Sequence, residues 1–240
     1  MFLRVVVHVV LTITTTVFAQ SSHYLFGPSF GIRKYPGNNA IITSFETTLI
    51  PGPPTSPAQR RLAIWPGLDT SNGDLIQPII VSSNEPQYTS GCRNSAANQW
   101  CVFASTLHER RQINGAQAPL DGKDALRMKI KYNVETKMYD QTLWINGKVV
   151  STLSTASGKA NGFYMQTECQ GSHKGVVSAH SYYNTTIVLE VPEPMWGSRP
   201  TRIIKSSADP ATTSDMGKTW FWQEIRLKQS LSPNEYIPNQ

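Results

Sequence analysis

The chain has 240 residues, 39% hydrophobic and 16% charged, which supplies enough apolar side chains for a large packed core and excludes a globally disordered chain. Its 16 Gly and 16 Pro are close to average use and remove collagen-like and low-complexity architectures. The formal net charge is +6, yet the basic residues are scattered and the only adjacent arginines are Arg60-Arg61 and Arg110-Arg111, so no phosphate-tracking stripe is present and a nucleic-acid partner is not expected.

Residues 1–19 read as a signal peptide. Arg4 forms a thin positive start, an apolar stretch from Val5 to Val10 continues to Phe18, and Val17-Phe18-Ala19 places small residues where signal peptidase cuts. The stretch is interrupted by His8 and is short for a bilayer span. The mature protein is therefore expected outside the cell, with no membrane attachment. Residues 20–38 read as an extended leader, 39–230 as a single domain, and 231–240 as a tail containing Pro233 and Pro238.

Strand signals then follow one another along the chain. Asn39 to Pro51 is rich in Ile, Thr and Phe and ends at Pro51-Gly52-Pro53-Pro54, a breaker that a central strand could not contain. Leu75 to Val81 is a short apolar run. The segment Ala104 to Arg111 carries only a brief helical period and is left unassigned. From Leu126 to Val134 strict alternation puts Leu126, Met128, Ile130, Tyr132 and Val134 on one face and the basic residues on the other, as in a half-buried strand. Asn146-Gly147 between Leu143-Trp144-Ile145 and Lys148-Val149-Val150 predicts a type I′ hairpin, because Asn-Gly accepts the positive φ that this turn requires. Further strands are expected at Gly162 to Cys169, Val176 to Tyr182, Thr186 to Val191 and Thr219 to Leu227, with a loop from Glu193 to Asp215. Many short strands with Pro, Gly and Asn turns describe one antiparallel sandwich or jelly roll.

Cys92 and Cys101, separated by the turn-rich Arg93-Asn94-Ser95, are expected to form a disulfide in an oxidising pathway. Cys169 reads as a small buried hydrophobe, with pairing to another chain as the alternative. Asn184-Thr185-Thr186 is a glycosylation sequon.

Familiar catalytic motifs are missing: there is no His-Glu-x-x-His, Gly-x-Ser-x-Gly, phosphate-cradling loop or Cys-x-x-Cys. His23, His108, His173 and His180 have no metal-clamp spacing, and neither a metal nor a cofactor is expected. Polar residues inside apparent strands carry more information. Gln77 interrupts the run Leu75-Ile76-Gln77-Pro78-Ile79. Alternation groups Tyr164, Gln166 and Glu168 on one face opposite Phe163, Met165, Thr167 and Cys169, and groups Trp220 and Trp222 with Glu224.

Trp65-Pro66-Gly67-Leu68-Asp69, then Asp74-Leu75-Ile76-Gln77, preceded by the extended Thr43 to Pro51, resembles the front half of the fungal glutamic peptidases known as eqolisins. Those peptidases belong to the concanavalin A-like lectin/glucanase sandwiches. The resemblance runs from Asn39 to Glu168, and the Trp-rich last strand is in keeping with it. It implies an all-β antiparallel sandwich with a concave groove, a catalytic glutamine at Gln77 and a catalytic glutamate at Glu168. The first segment, with Ala179 to Leu189, also looks like secreted fungal lectin/glucanase-like proteins. Pro66 and the basic charge depart from the eqolisin pattern.

In the implied chemistry, Glu168 takes a proton from water and the Gln77 amide stabilises the developing oxyanion, a contribution of about 3 kcal/mol. The same groove suits a saccharide. Trp65, Asp69, Tyr164 and Gln166 are expected to contact substrate from the groove, and Trp220 and Trp222 to stack on sugar rings beside Glu224. A retaining glycosidase needs a second carboxylate about 5 Å away, for which Glu46 and Glu224 are the strand-borne candidates. A lyase would use Tyr182 and His180. Three readings thus stay open: an acid hydrolase of polypeptides, a glycan-binding protein, and a polysaccharide hydrolase or lyase, each as a monomer.

Overall fold

The computed structural model describes residues 24–33, 39–92, 99–170 and 175–232. The expected signal peptide, His23, His173 and the tail from residue 233 lie outside them. In chain order the strands are β1 (Tyr24–Ile32), β2 (Ile42–Ile50), β3 (Arg61–Thr70), β4 (Leu75–Ile76), β5 (Ile79–Ser83), β6 (Trp100–Phe103), β7 (Ser105–His108), β8 (Arg111–Asn114), β9 (Ala118–Leu120) and β10 (Leu126–Asn133). There follow β11 (Met138–Ile145), β12 (Lys148–Thr155), β13 (Ala160–Gln170), β14 (Gly175–Val177), β15 (His180–Leu189), β16 (Arg202–Ile204), β17 (Ser206–Ala208), β18 (Thr219–Leu227) and β19 (Ser230–Ser232). One short helical turn, Pro86–Thr89, precedes Cys92.

Among the described residues all strand pairings are antiparallel, and they build two layers. The back sheet runs β12, β11, β10, β2, β15, β18, β17. The front sheet runs β16, β1, β13, β3, after which the two halves of β3 pair separately, one with β5, β6 and β9 and the other with β4, β7 and β8. Two links tie the layers. Ala160 pairs with Ile42, and the Tyr139 hydroxyl secures that corner by donating to Ile42 O and accepting from Ala160 N, each at 2.9 Å. At the far edge, β16 belongs to the front sheet and β17 to the back one, with Lys205 at φ 45 between them.

The core fills the space between the layers. Phe163 from β13 meets Phe45 of β2 at 5.7 Å, Phe30 of β1 at 6.2 Å and Trp222 of β18 at 6.1 Å between ring centroids, aromatic contacts of the kind worth about 0.5–1.5 kcal/mol each beyond area burial. Several buried polar groups are paired: Gln141 Nε2 donates to Ser105 O and Thr106 Oγ1, and Thr47 hydrogen-bonds Thr185. Outside the back sheet Glu46 is bound by Arg127 and Lys129.

The expected all-β antiparallel sandwich is what the chain adopts. Asn146 and Gly147 turn with φ 50 and 76, and the inward face of β10 is Leu126, Met128 and Ile130, whereas Val134 lies beyond the strand and is exposed. The disulfide joins Cys92 to Cys101, and Cys169 lies in the main core. Several expectations need correction. The leader contains β1, because Phe30 and Ile32 fill the core and the edge of β13 would otherwise be left unpaired. Leu75 to Val81 breaks at Gln77-Pro78, where Pro78 has no N–H to give a ladder. The unassigned Ala104 to Arg111 is part of the β7–β8 hairpin, turned by Glu109 and Arg110 at positive φ. The loop from Glu193 to Asp215 holds β16 and β17, and β19 reaches into the expected tail to pair with β14.

Candidate functional site

The outward face of the front sheet carries a groove of about 640 Å³. Cross-strand register arranges its side chains in rows. In one row Arg202, Gly31, Tyr164 and Gly67 follow one another, and the pairs Leu68–Ile76 and Ile64–Ile80 place Gln77 opposite Gly67. The next row carries Ser29, Gln166 and Trp65. Phe26, Glu168 and Ala63 form the third, and Tyr24, Gln170 and Arg61 the fourth. On the other side of the first row Asp69 pairs with Leu75, and Leu75 with Leu107. Because side chains alternate along a strand, these rows share the face turned away from the core. A second small apolar cluster, including Ala63, Val81, Phe103 and the disulfide, supports that face.

Trp65 organises the middle of the groove. Its Nε1 donates to Glu168 Oε2 over 3.1 Å, and Gln170 Nε2 donates to Glu168 Oε1 over 3.0 Å. The opposite edge of the indole covers Gly67: a methyl group there would stand 3.1 Å from Trp65 Cζ3 and 3.0 Å from Leu75 Cδ1. Glycine there lets the ring and Leu75 lie close against the backbone. Gln77 is 5% exposed and its Oε1 is buried with no hydrogen-bond partner among the described residues.

Register separates the two residues that the sequence pairs. Glu168 is level with Ala63 and Gln77 with Gly67, so they stand roughly 13 Å apart along the strands and roughly 10 Å apart across them. The indole lies between. Asp69 is nearer to Gln77: its direct partner is Leu75, which makes Gln77 its diagonal neighbour, at roughly 7–8 Å between backbones.

Charge gathers at the Asp69 end. Burial pushes the Asp69 carboxyl upward while the Arg33 charge pulls it down. Burial first and the neighbouring Asp69 second push the Tyr164 hydroxyl up to about 12. Arg202, lowered by burial and by Arg33, hydrogen-bonds Ser29 Oγ through Nε at 2.7 Å.

Other expected site residues lie elsewhere. Trp220 and Trp222 are 3% and 1% exposed in the main core, so they have no free face for a sugar ring. His180 and Tyr182 are buried in the same interior, facing away from the groove. Glu224 lies outside the back sheet in an ion pair with Arg226, and Glu46 is on that side too. The groove instead recruits Tyr24, Phe26, Arg33, Arg61, Gln170 and Arg202. Tyr24 and Phe26 alternate in the sequence, a signal hidden by reading 20–38 as a leader; the arginines carry no local signal. Asn184 is exposed at φ 52 within β15. Among the described residues no group of three His, Cys, Asp or Glu side chains is placed to hold a metal ion, and no helix is long and apolar enough to cross a membrane.

No protein-family model matches the chain. No curated protein matches it. Solved structures similar to it include scytalido-glutamic peptidase with a peptide-based transition state analog, at 12% identity and a TM-score of 0.48, covering 85% of this chain and 99% of that one. SCP-B, a member of the eqolisin family of peptidases in complex with the tripeptide Ala-Ile-His, is similar at 11% identity and a TM-score of 0.42 over 85% of this chain and 99% of that one. The legume lectin-like domain from Entamoeba histolytica is similar at 9% identity and a TM-score of 0.32, covering 85% of this chain and 89% of that one. Eqolisin peptidases and a legume lectin-like domain are thus among the solved structures similar to this chain.

Proposed function

We propose that this protein is a secreted polysaccharide-binding sandwich whose front-sheet groove holds a glycan chain. One observation carries the reading: an open groove in which successive rows present aromatic rings and glutamine amides, Tyr24 beside Gln170 and Tyr164 above Gln166, while Glu168, one of its carboxylates, accepts a hydrogen bond at each oxygen, from Trp65 and from Gln170. Rings offer apolar faces to sugars, and amides donate to and accept from hydroxyls. Asp69 and Glu168 are separated by three rows, roughly 20 Å, beyond the spacing at which two carboxyl groups hydrolyse a glycosidic bond. Secretion rests on residues 1–19 and on the exposed sequon asparagine, Asn184. The test is affinity electrophoresis through gels containing soluble plant and fungal cell-wall polysaccharides. Retardation that Tyr24→Ala reduces is expected, and migration unchanged by every polysaccharide would end the proposal.

Acid hydrolysis of polypeptides is a second reading, favoured by the unpartnered Gln77 Oε1 and its diagonal neighbour Asp69. In it Asp69 is the base that takes a proton from water, and the Gln77 amide donates to the oxyanion. Cleavage of acid-denatured protein that Asp69→Asn abolishes and Glu168→Gln leaves intact would establish it in place of binding alone.

A further inference from the structure

We infer that the sugars bound in this groove carry N-acetyl groups, as the units of a chitin-type chain do. The inference rests on the polysaccharide reading above and names the unit that the groove selects.

The Asp69 end of the groove sets hydrogen-bond acceptors beside an apolar wall. Asp69, Leu75 and Leu107 stand in one row on three neighbouring strands, all three line the groove, and each is half-buried. On the other side of Asp69 its partner is Gly162, where a methyl group would stand 3.4 Å from Asp69 Oδ2, so the carboxylate lies against bare backbone. In the next row Gln77 is fixed by its backbone N–H, which donates to Ser105 O over 2.9 Å. Its side chain also lines the groove, is 5% exposed, and leaves Oε1 with no hydrogen-bond partner among the described residues. A buried acceptor without a partner is costly, and a donor from a ligand relieves that cost.

This combination selects an acetamido sugar. Hydroxyls alone would satisfy the acceptors but leave the two leucines facing water. An acetamido sugar meets the whole set: its N–H and the neighbouring ring hydroxyl donate to Asp69 and to Gln77 Oε1, and its methyl group covers Leu75 and Leu107. The spacing agrees. Neighbouring strands lie roughly 4.8 Å apart, and the nitrogen and methyl carbon of an amide lie roughly 2.4 Å apart, so the step from acceptor to apolar wall falls within one sugar unit. The positive charge of Arg33 acts on Asp69, which disfavours an ammonium group there and makes a free amino sugar the poorer ligand.

The experiment compares dissociation constants, by isothermal titration, for three hexasaccharides that share one backbone: chitohexaose, its fully de-N-acetylated form, and cellohexaose, which carries a hydroxyl in place of each acetamido group. Chitohexaose is expected to bind about tenfold more tightly than cellohexaose, from burial of one methyl group and pairing of one acceptor. De-N-acetylation is expected to remove that advantage. Leu107→Ser is expected to bring chitohexaose down to the affinity of cellohexaose, with thermal denaturation to check the fold; if that variant does not fold, the wild-type comparison decides. Equal binding of chitohexaose and cellohexaose, tighter binding of the de-N-acetylated form, or a folded Leu107→Ser protein that keeps the preference overturns the inference and leaves polysaccharide binding standing. So does failure of all three ligands while another polysaccharide retards the protein in a gel. Failure with every polysaccharide removes the underlying reading itself.

Discussion

The indole nitrogen of Trp65 donates to Glu168 Oε2 over 3.1 Å, and the far edge of the same ring covers Gly67, the residue opposite Gln77. One side chain thereby both orients the groove's central carboxylate and stands between it and Gln77. Trp65→Phe keeps the ring over Gly67 and deletes the donor. It is expected to cost about 1.5–3 kcal/mol, the range for a hydrogen bond to a charged group. Chemical denaturation of Trp65→Phe, Glu168→Gln and the double variant should show strong non-additivity; additive losses would mean that the bond contributes nothing.

Stacking and packing separate in a second set of variants. Tyr24 is 52% exposed at the groove and Trp222 is 1% exposed in the core. Tyr24→Ala should weaken polysaccharide retention with an unchanged melting temperature. Trp222→Ala should cost about 3–5 kcal/mol of stability, as large core truncations do. A Trp222→Ala protein of undiminished stability would contradict its place against Phe163.

Acid should destabilise the fold through His180. Complete burial is the main reason its ring is lowered to about 4, opposed by its hydrogen bond to Ser178 O. The unfolded chain, with a histidine near about 6.5, binds more protons than the native state between those values. Stability is therefore full above about pH 6.5, falls as the pH drops toward 4, and levels off below it, a change of about 3 kcal/mol. His180→Gln removes the titration. Urea midpoints followed from pH 7 to 4 should fall less steeply in the variant than in wild type, and parallel profiles would refute the assignment.

Secretion makes a chemical prediction. Protein recovered from the medium of a glycosylating host should begin at Gln20 and carry a glycan on Asn184, whose side chain is exposed. Intact mass before and after glycosidase treatment tests both points. A retained Met1 counts against the signal peptide, and an unmodified Asn184 counts against the sequon's use.

Local chemistry was legible in the sequence. Alternation in β10 and the Asn146-Gly147 turn depend on neighbours two residues away or fewer, and short-range sterics decide them. The outward Tyr164, Gln166 and Glu168 follow from equally local alternation, and the Cys92–Cys101 bridge spans a separation of only 9 residues. What only the tertiary structure decided is which strands stand side by side and where alternation loses phase. Asn184 at φ 52 and Gln223 opposite it on β18 are both exposed. Past this kink the inward positions move from Trp220 and Trp222 to Ile225, so Glu224 and the tryptophans that simple alternation groups together end on opposite faces. β1 likewise became a strand only because β13 had an open edge for it. At the groove, Arg33, Arg61 and Arg202 come from three different strands or their ends, and no periodicity within one segment encodes neighbours that pairing between segments brings to one face.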